Sequence, residues 1–254
     1  MSGRSLLILL AGLTAALAFA PAGVSDYTLS LLISVLMCVA LTSSWSIFSG
    51  YTGYLSFGTV AFFGTGAYTT AVLSDTLPYP VVIALAALIA GALALLSGLV
   101  VLRLRGPYFA VFTFGMAELT RQCVLWWEIN VSRTVGRIIL PVPSATIFYA
   151  LLGITAATLL LHGLIARSRF GMALTCIGED EVKAETLGID TTTHKIAAFA
   201  VSALVMGAVG AAVVPRWTYL DPHVAFNPLI AFQVIIMALI GGARRVEGTV
   251  IGAV

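Results

Sequence analysis

One pattern constrains this chain before any motif is read. Apolar stretches near bilayer-crossing length recur at 6–20, 27–48, 59–73, 81–102, 107–127, 147–165, 196–214 and 228–240, and a further one begins at Thr249. Crossing about 30 Å of hydrocarbon takes roughly 20 helical residues, since each adds about 1.5 Å. Polar or turn-rich segments separate the stretches. A soluble domain carries about 25% charged residues, whereas this chain of 254 residues is 9% charged and 60% apolar. Its outer surface must therefore meet lipid. Lipid satisfies no backbone group, so the spans must be helices that pair their own N–H and C=O groups. The expected fold is all-α: a polytopic transmembrane helix bundle of about eight to nine spans, forming a single transmembrane domain over 1–254.

The first stretch has a second reading. Arg4, an apolar run and Ala18-Phe19-Ala20 resemble a signal peptide with its cleavage site. Pro21 would follow the cut directly, which disfavours cleavage, so the segment is read as a retained first helix. Basic residues favour the cytoplasmic side of a membrane. With the N-terminus cytoplasmic and one crossing per stretch, Arg4, Arg103, Arg105, Arg167, Arg169, Lys183, Lys195, Arg244 and Arg245 fall inside. Arg133, Arg137 and Arg216 fall outside, and Arg121 lies within the fifth span. The same orientation puts Trp126, Trp127, Trp217 and Tyr219 at outer span ends, where amphipathic rings favour the interface.

Several functions are disfavoured by what the residues lack. The net charge of +2 gives no footprint for nucleic acid. There is no H-E-x-x-H zinc motif, no G-x-S-x-G elbow and no G-x-x-x-x-G-K-[ST] phosphate loop, so no catalytic residue or metal site is assigned and the chain does not bind ATP in that way. Cys38, Cys123 and Cys176 lack metal-ligand spacing and read as packing residues, and His162, His194 and His223 read as ordinary interface residues. Ion-coupled carriers use carboxylates at depth. Only Glu118 qualifies here, and Arg121 three positions on shares its helix face, which reads as a self-neutralising pair in the bundle interior or as a polar contact on a transport path.

Three segments stand out. The first, Ser49 to Gly58, is rich in glycine and precedes a short span. Glycine breaks at membrane depth are tolerated only beside protein or water, and they point to a substrate path in transporters. Close packing through small residues is the competing reading. Tyr51, Gly53, Tyr54 and Ser56 are the candidates beside such a path. The second segment, Gly241 to Gly248, is similar: Gly58-Thr59-Val60 and Gly248-Thr249-Val250 are identical triplets that hint at two related halves.

The third is the loop 167–195, with four basic and five acidic residues. Within it, Gly178 to Gly188 is built as a short helix. Glu179, Asp180 and Glu181 suit the positive end of its dipole, Glu179 and Lys183 are four apart, and Gly188 suits the C-terminal cap. A helix this short is marginal in water, so it is expected to dock, burying Val182, Ala184 and Leu187 with Glu179, Asp180 and Lys183 at the rim.

These segments resemble the permease subunits of bacterial branched-chain amino acid ABC importers, in particular the LivM-like member of the pair. The resemblance runs through most of the chain. It rests on Gly50 to Gly58, on Leu104 to Ala110 with Thr113 and Glu118 after it, on Arg167 to Ala173, and on Gly241-Gly242 leading to Gly248-Thr249. The segment Ile177 to Ile189 resembles the family's cytoplasmic coupling loop, although family members commonly have Arg in place of Gly178 and Asn in place of Asp180. Family chains run on beyond the Gly-Gly motif, so a C-terminally incomplete chain is expected.

The resemblance implies a multi-pass permease of the bacterial inner membrane with no enzymatic activity and no cofactor, ATP being bound by partner subunits. The implied partners are a homologous permease, two cytoplasmic ABC ATPases and a periplasmic binding protein. The substrate path would take in Tyr51, Gly53, Tyr54, Ser56, Gly58, Tyr108, Thr113 and Glu118. The ATPase interface would take in Glu179, Asp180, Glu181, Val182, Lys183, Ala184, Leu187 and Gly188. Branched-chain amino acids are the implied cargo, with urea, short amides or other small carboxylates as alternatives. A secondary carrier and a membrane scaffold or enzyme subunit remain as competing classes.

Overall fold

Proline and small polar caps set the helix starts. The computed structural model describes residues 25–102, 104 and 106–254; the first stretch, 6–20, and Arg103 and Arg105 lie outside the described residues. Helix α1 spans Asp26–Trp45, capped by the Ser25 hydroxyl, and runs on through a π turn over Ser46–Gly50. Helices α2 (Thr59–Leu73), α3 (Tyr79–Val101) and α4 (Pro107–Trp127) follow. Then come α5 (Ser144–Ile165), α6 (Arg169–Glu179), α7 (Glu181–Thr186) and α8 (Thr191–Val213). Helices α9 (Pro222–Ala225), α10 (Pro228–Gly241) and α11 (Val246–Ala253) complete the chain. Prolines open α3, α4, α9 and α10 at first-turn positions whose missing N–H would have had no helical partner.

Among the described residues, five segments are long and apolar enough to cross a membrane: Asp26–Gly50, Tyr79–Val101, Ser144–Ile165, Thr191–Arg216 and Pro222–Gly241. The chain is an all-α multi-pass membrane bundle. Helix α2, at 15 residues, rises only about 22 Å, short of the bilayer core. Helix α4 has 21 residues but carries Glu118, Arg121 and Gln122. Among the described residues the strands are β1 (Arg137–Ile138) and β2 (Tyr219–Leu220), a short antiparallel pair.

Helices α1 and α8 form the centre. Residues 39–50 are all buried. Ser44 and Ser202 donate reciprocally to each other's carbonyls at 2.7 and 2.8 Å. Helix α8 packs on α2 backbone to backbone: a Cβ on Gly66 would collide with the Gly207 carbonyl, and one on Gly210 with that of Phe63. Such close approach lets helices associate where lipid supplies no hydrophobic drive. Leu96, Leu99 and Val100 of α3 stay exposed, as a lipid-facing surface requires.

The long helices alternate in direction, as the sequence pattern demands. At one end Lys195, near the start of α8, reaches the Leu102 carbonyl after α3 at 3.3 Å. At the other end Tyr79 donates to the Ala212 carbonyl at 2.7 Å, and Arg216 donates to Ser30 and Ser34 of α1.

The 167–195 segment corrects the sequence reading. It holds two helices, α6 and α7, where a single short one was expected. Ser168 caps α6, and Phe170, Leu174 and Ile177 recur on its bundle-facing side. Asp180 leaves the helical conformation and caps α7, accepting from Val182 and Lys183 N–H groups at 3.1 Å. Glu179 therefore ends α6 and does not open α7. Lys183 pairs with Asp180 at 3.0 Å, while Glu179 faces Arg244 at 3.8 Å. Gly188 does stop α7, in the left-handed region at φ +80°, where the Ile189 N–H reaches back to Ala184.

Candidate functional site

The break between α1 and α2 is an irregular rise held by its own neighbours. Gly53 sits in the left-handed region at φ +72°, which reverses the chain at the end of α1. Trp45 donates from Nε1 to the Ser56 carbonyl at 2.9 Å. The Phe57 N–H donates to Thr113 Oγ1 of α4 at 3.1 Å, and that of Gly58 to Ser56 Oγ at 3.2 Å. The Gly53 N–H reaches Ser49 O at 3.0 Å. Protein thus takes up much of the backbone polarity that the glycines free, which is what allows irregular chain at this depth.

The two ends of the break have different surroundings. Its upper end, at Phe57 and Gly58, meets α4 and α10. The Phe57 ring stands edge-on to Phe114 and Phe232, with ring centres 6.2 and 5.3 Å apart. A narrow crevice there is lined by Phe57, Phe114, Ala117, Glu118 and Phe226. Glu118 accepts from Arg121 Nε at 3.0 Å and from Gln122 at 2.9 Å, and Arg121 in turn meets His223 Nδ1. The Glu118 side chain is 47% exposed. It is not an interior pair, because α4 turns this face away from its own bundle.

The lower end, at Tyr51 and Tyr54, meets α6, α7 and α8. Gly178 lies against the Tyr51 carbonyl with no room for a Cβ. Tyr54 donates its hydroxyl to Glu181 Oε2 at 2.5 Å, and the other Glu181 oxygen pairs with Lys195 Nζ at 2.6 Å. The Lys195 ammonium also sits 5.1 Å from the Tyr54 ring centre, a cation–π distance. Ala243, in the second glycine-rich segment, accepts from Ser46 and abuts Gly50. A cavity of about 520 Å³ opens between Trp45, Gly53, Leu55, Leu239 and Arg245. The two glycine-rich segments, similar in sequence, are neighbours in space.

Helix α7 faces two ways. Ala184 is buried against its own bundle, so it is not free for a partner as the sequence reading had it. Glu181, tied to Lys195, is likewise drawn inward. Val182 and Leu187 are 58% and 74% exposed and present an apolar pair on the outer side. Asp180 lies at the rim, and Lys183, through its backbone N–H and then its ammonium, holds that carboxyl below the usual carboxylate range.

The described residues thus combine a polytopic helical bundle, a glycine break rising into it, and a charged helix turn packed beneath that break. The family described as "Branched-chain amino acid transport system / permease component" matches residues 27–254. This chain belongs to that family. The permease is 27% identical over 286 aligned positions to the "High-affinity branched-chain amino acid transport system permease protein LivM" of Salmonella typhimurium, and equally to that of Escherichia coli. Each alignment takes in 98% of this chain and 66% of the relative, so the chain spans a little under two thirds of their length. No solved structure matches the permease.

The expected path residues separate on this geometry. Ser56, Gly58, Thr113 and Glu118 gather at the upper end of the break, and Tyr51, Gly53 and Tyr54 at the lower. Tyr108 stands apart, 73% exposed at the start of α4. Two residues gain importance that the sequence did not signal. Lys195 read only as one more inside charge, because nothing in spacing links it to Glu181 across two turns. His162 is fully buried, edge-on to Tyr51 with ring centres 5.7 Å apart. Neither of its nitrogens has a hydrogen-bond partner among the described residues, so it is no interface residue.

Proposed function

We propose that this permease is the membrane-spanning subunit of an ATP-binding-cassette importer that moves branched-chain amino acids, or a related small polar solute, across the bacterial inner membrane. One observation carries the reading. The break delivers Phe57 and Gly58 to a crevice that opens beside an exposed Glu118–Arg121–His223 cluster midway along the membrane helix α4. Hydrocarbon does not hold such a cluster at that depth. It therefore faces a water-lined path shared with a second, homologous permease. The N-terminus and the α6–α7 segment are cytoplasmic in this reading, with eight to nine crossings in the chain as given. ATP is bound by two partner ATPases seated under α7, and a periplasmic binding protein delivers the solute.

Transport would proceed by alternating access, with the ATPases' differential affinity for inward and outward states setting the population of each. The test is uptake into proteoliposomes holding the permease with its cognate partners. ATP-dependent uptake of labelled leucine is the expected result, with urea and a short amide as parallel arms that reassign the cargo. Uptake driven by an ion gradient without ATP would overturn the reading in favour of a secondary carrier.

A further inference from the structure

The ion pair between Glu181 and Lys195 sits where four elements meet. Lys195 belongs to α8, Glu181 opens α7, Tyr54 belongs to the break, and the Leu102 carbonyl that also accepts from Lys195 Nζ lies just after α3. The Lys195 side chain is 2% exposed and that of Glu181 13%. Removing one partner from such a pair leaves an uncompensated charge away from water, so the pair resists separation. Each Glu181 oxygen has a different partner, Tyr54 on one and Lys195 on the other. The carboxylate is thus fixed in direction as well as position. Directly behind it, Gly178 and Tyr51 touch backbone to backbone, which leaves no compressible side chain between the α6–α7 corner and the break. On the opposite side of α7, Val182 and Leu187 are exposed.

We propose that Tyr54, Glu181 and Lys195 form a rigid strut that makes α7 and the glycine break move as one body, so that force applied to the Val182–Leu187 side of α7 reaches the solute path. These are positioning residues: they transmit through the break and do not touch solute. The inference rests on the permease reading above and deepens it. The physical logic is that packed interiors switch between discrete arrangements and do not deform continuously. A helix held only by Ala184 would roll under load. A helix pinned at Glu181 cannot roll without pulling Tyr54.

The experiment uses the assembled complex of permease, ATPases and binding protein in proteoliposomes, and reads solute moved per ATP hydrolysed. Glu181→Gln keeps the shape and removes the charge. It should lower that ratio about tenfold and lower the melting temperature, since Lys195 loses its counter-charge, while the folded fraction still co-purifies with the ATPase as wild type does. Tyr54→Phe keeps the ring over Lys195 and removes one hydroxyl; it should lower the ratio less. The double variant should lose less than the two single effects combined, because both residues belong to one connected network. If Glu181→Gln fails to insert, Tyr54→Phe alone carries the comparison. An unchanged ratio in both variants overturns the strut, as does a loss of uptake that only tracks loss of assembly. Failure of the wild-type permease to co-purify with any ATPase overturns the importer reading itself, an outcome separable from the others.

Discussion

Gly178 presses against the carbonyl oxygen of Tyr51 so closely that a single methyl group could not be accommodated between them. The contact joins the last turn of α6 to the start of the glycine break, two segments 127 positions apart in sequence. It also bears on the arginine that the resemblance implies for this position. An arginine here would require α6 to sit further from the break than it does in this chain.

Gly178→Ala should therefore destabilise the permease by about 1–3 kcal/mol, the usual cost of overpacking against an unyielding neighbour. Gly163→Ala is the control. A Cβ at Gly163, within α5, meets open space, and alanine is the better helix former. Melting in detergent should show a lowered transition for the first variant and an unchanged or raised one for the second. Equal melting would mean that the Tyr51–Gly178 contact yields easily.

Asp180 caps α7, and asparagine caps as well as aspartate does. Asp180→Asn should leave α7 intact, whereas Asp180→Ala should expose the Val182 and Lys183 amides to hydrogen exchange. The pH dependence follows from the depressed pKa of Asp180. A carboxyl whose folded pKa lies below its unfolded value contributes stability above the unfolded value, near 3.9. It loses that contribution as pH falls through the folded value. Exchange protection at Val182 should thus hold constant from pH 8 to pH 5. Marked loss within that window would contradict the cap.

The elements that the sequence made legible are those with local punctuation. Helices α2 and α4 begin and end where the residues place them because Gly58 and the Gly106-Pro107 pair mark their starts. What stayed hidden depends on neighbours. Glu118 read either as half of an interior pair or as a contact on a path, because a helix pattern gives a face without saying what covers it. Ala184 read as free for a partner for the same reason. Helix α6 did carry a signal, in Phe170, Leu174 and Ile177, but the charges around it read as loop. The Glu181–Lys195 pair had none, since a buried tie between two helices has no sequence period.

Orientation is tested by labelling. The proposed orientation puts Glu181 in the cytoplasm and Ser132, at the end of the turn after α4, in the periplasm. A membrane-impermeant thiol reagent should label a cysteine at position 132 in intact cells and one at position 181 only after permeabilisation. The reverse pattern would invert the assembly and remove α7 from any ATPase.

Leu187 and Ala184 separate the outer and inner sides of α7. Leu187 is exposed in the permease alone, so Leu187→Asp should insert and melt like the wild type. Docking would bury it against an ATPase, worth about 1.5–3 kcal/mol for a leucine, so its loss should weaken association about tenfold or more. Ala184→Asp should instead lower the melting temperature, since it places a charge against the bundle without a partner. Full ATPase binding by Leu187→Asp would leave the exposed pair on α7 without a role.

Gly53 offers the sharpest test of the break itself, because two explanations of its importance can be separated by choice of substituent. The backbone there has φ +72°, a region that costs most L-residues about 1–2 kcal/mol but that asparagine tolerates. A Cβ would meet only the Gly178 carbonyl, at an ordinary 3.7 Å, so bulk near the backbone is not itself excluded. If the glycine serves conformation alone, Gly53→Asn should keep uptake near wild type and Gly53→Leu should reduce it together with melting temperature. If Gly53 also borders the solute path, as its place on the cavity beside Leu55 and Arg245 implies, Gly53→Asn should keep the melting temperature yet cut uptake, and Gly53→Leu should abolish it in an assembled complex. Proteoliposome uptake beside melting of the same preparations decides between them. Normal uptake by Gly53→Leu would return the break to plain helix packing.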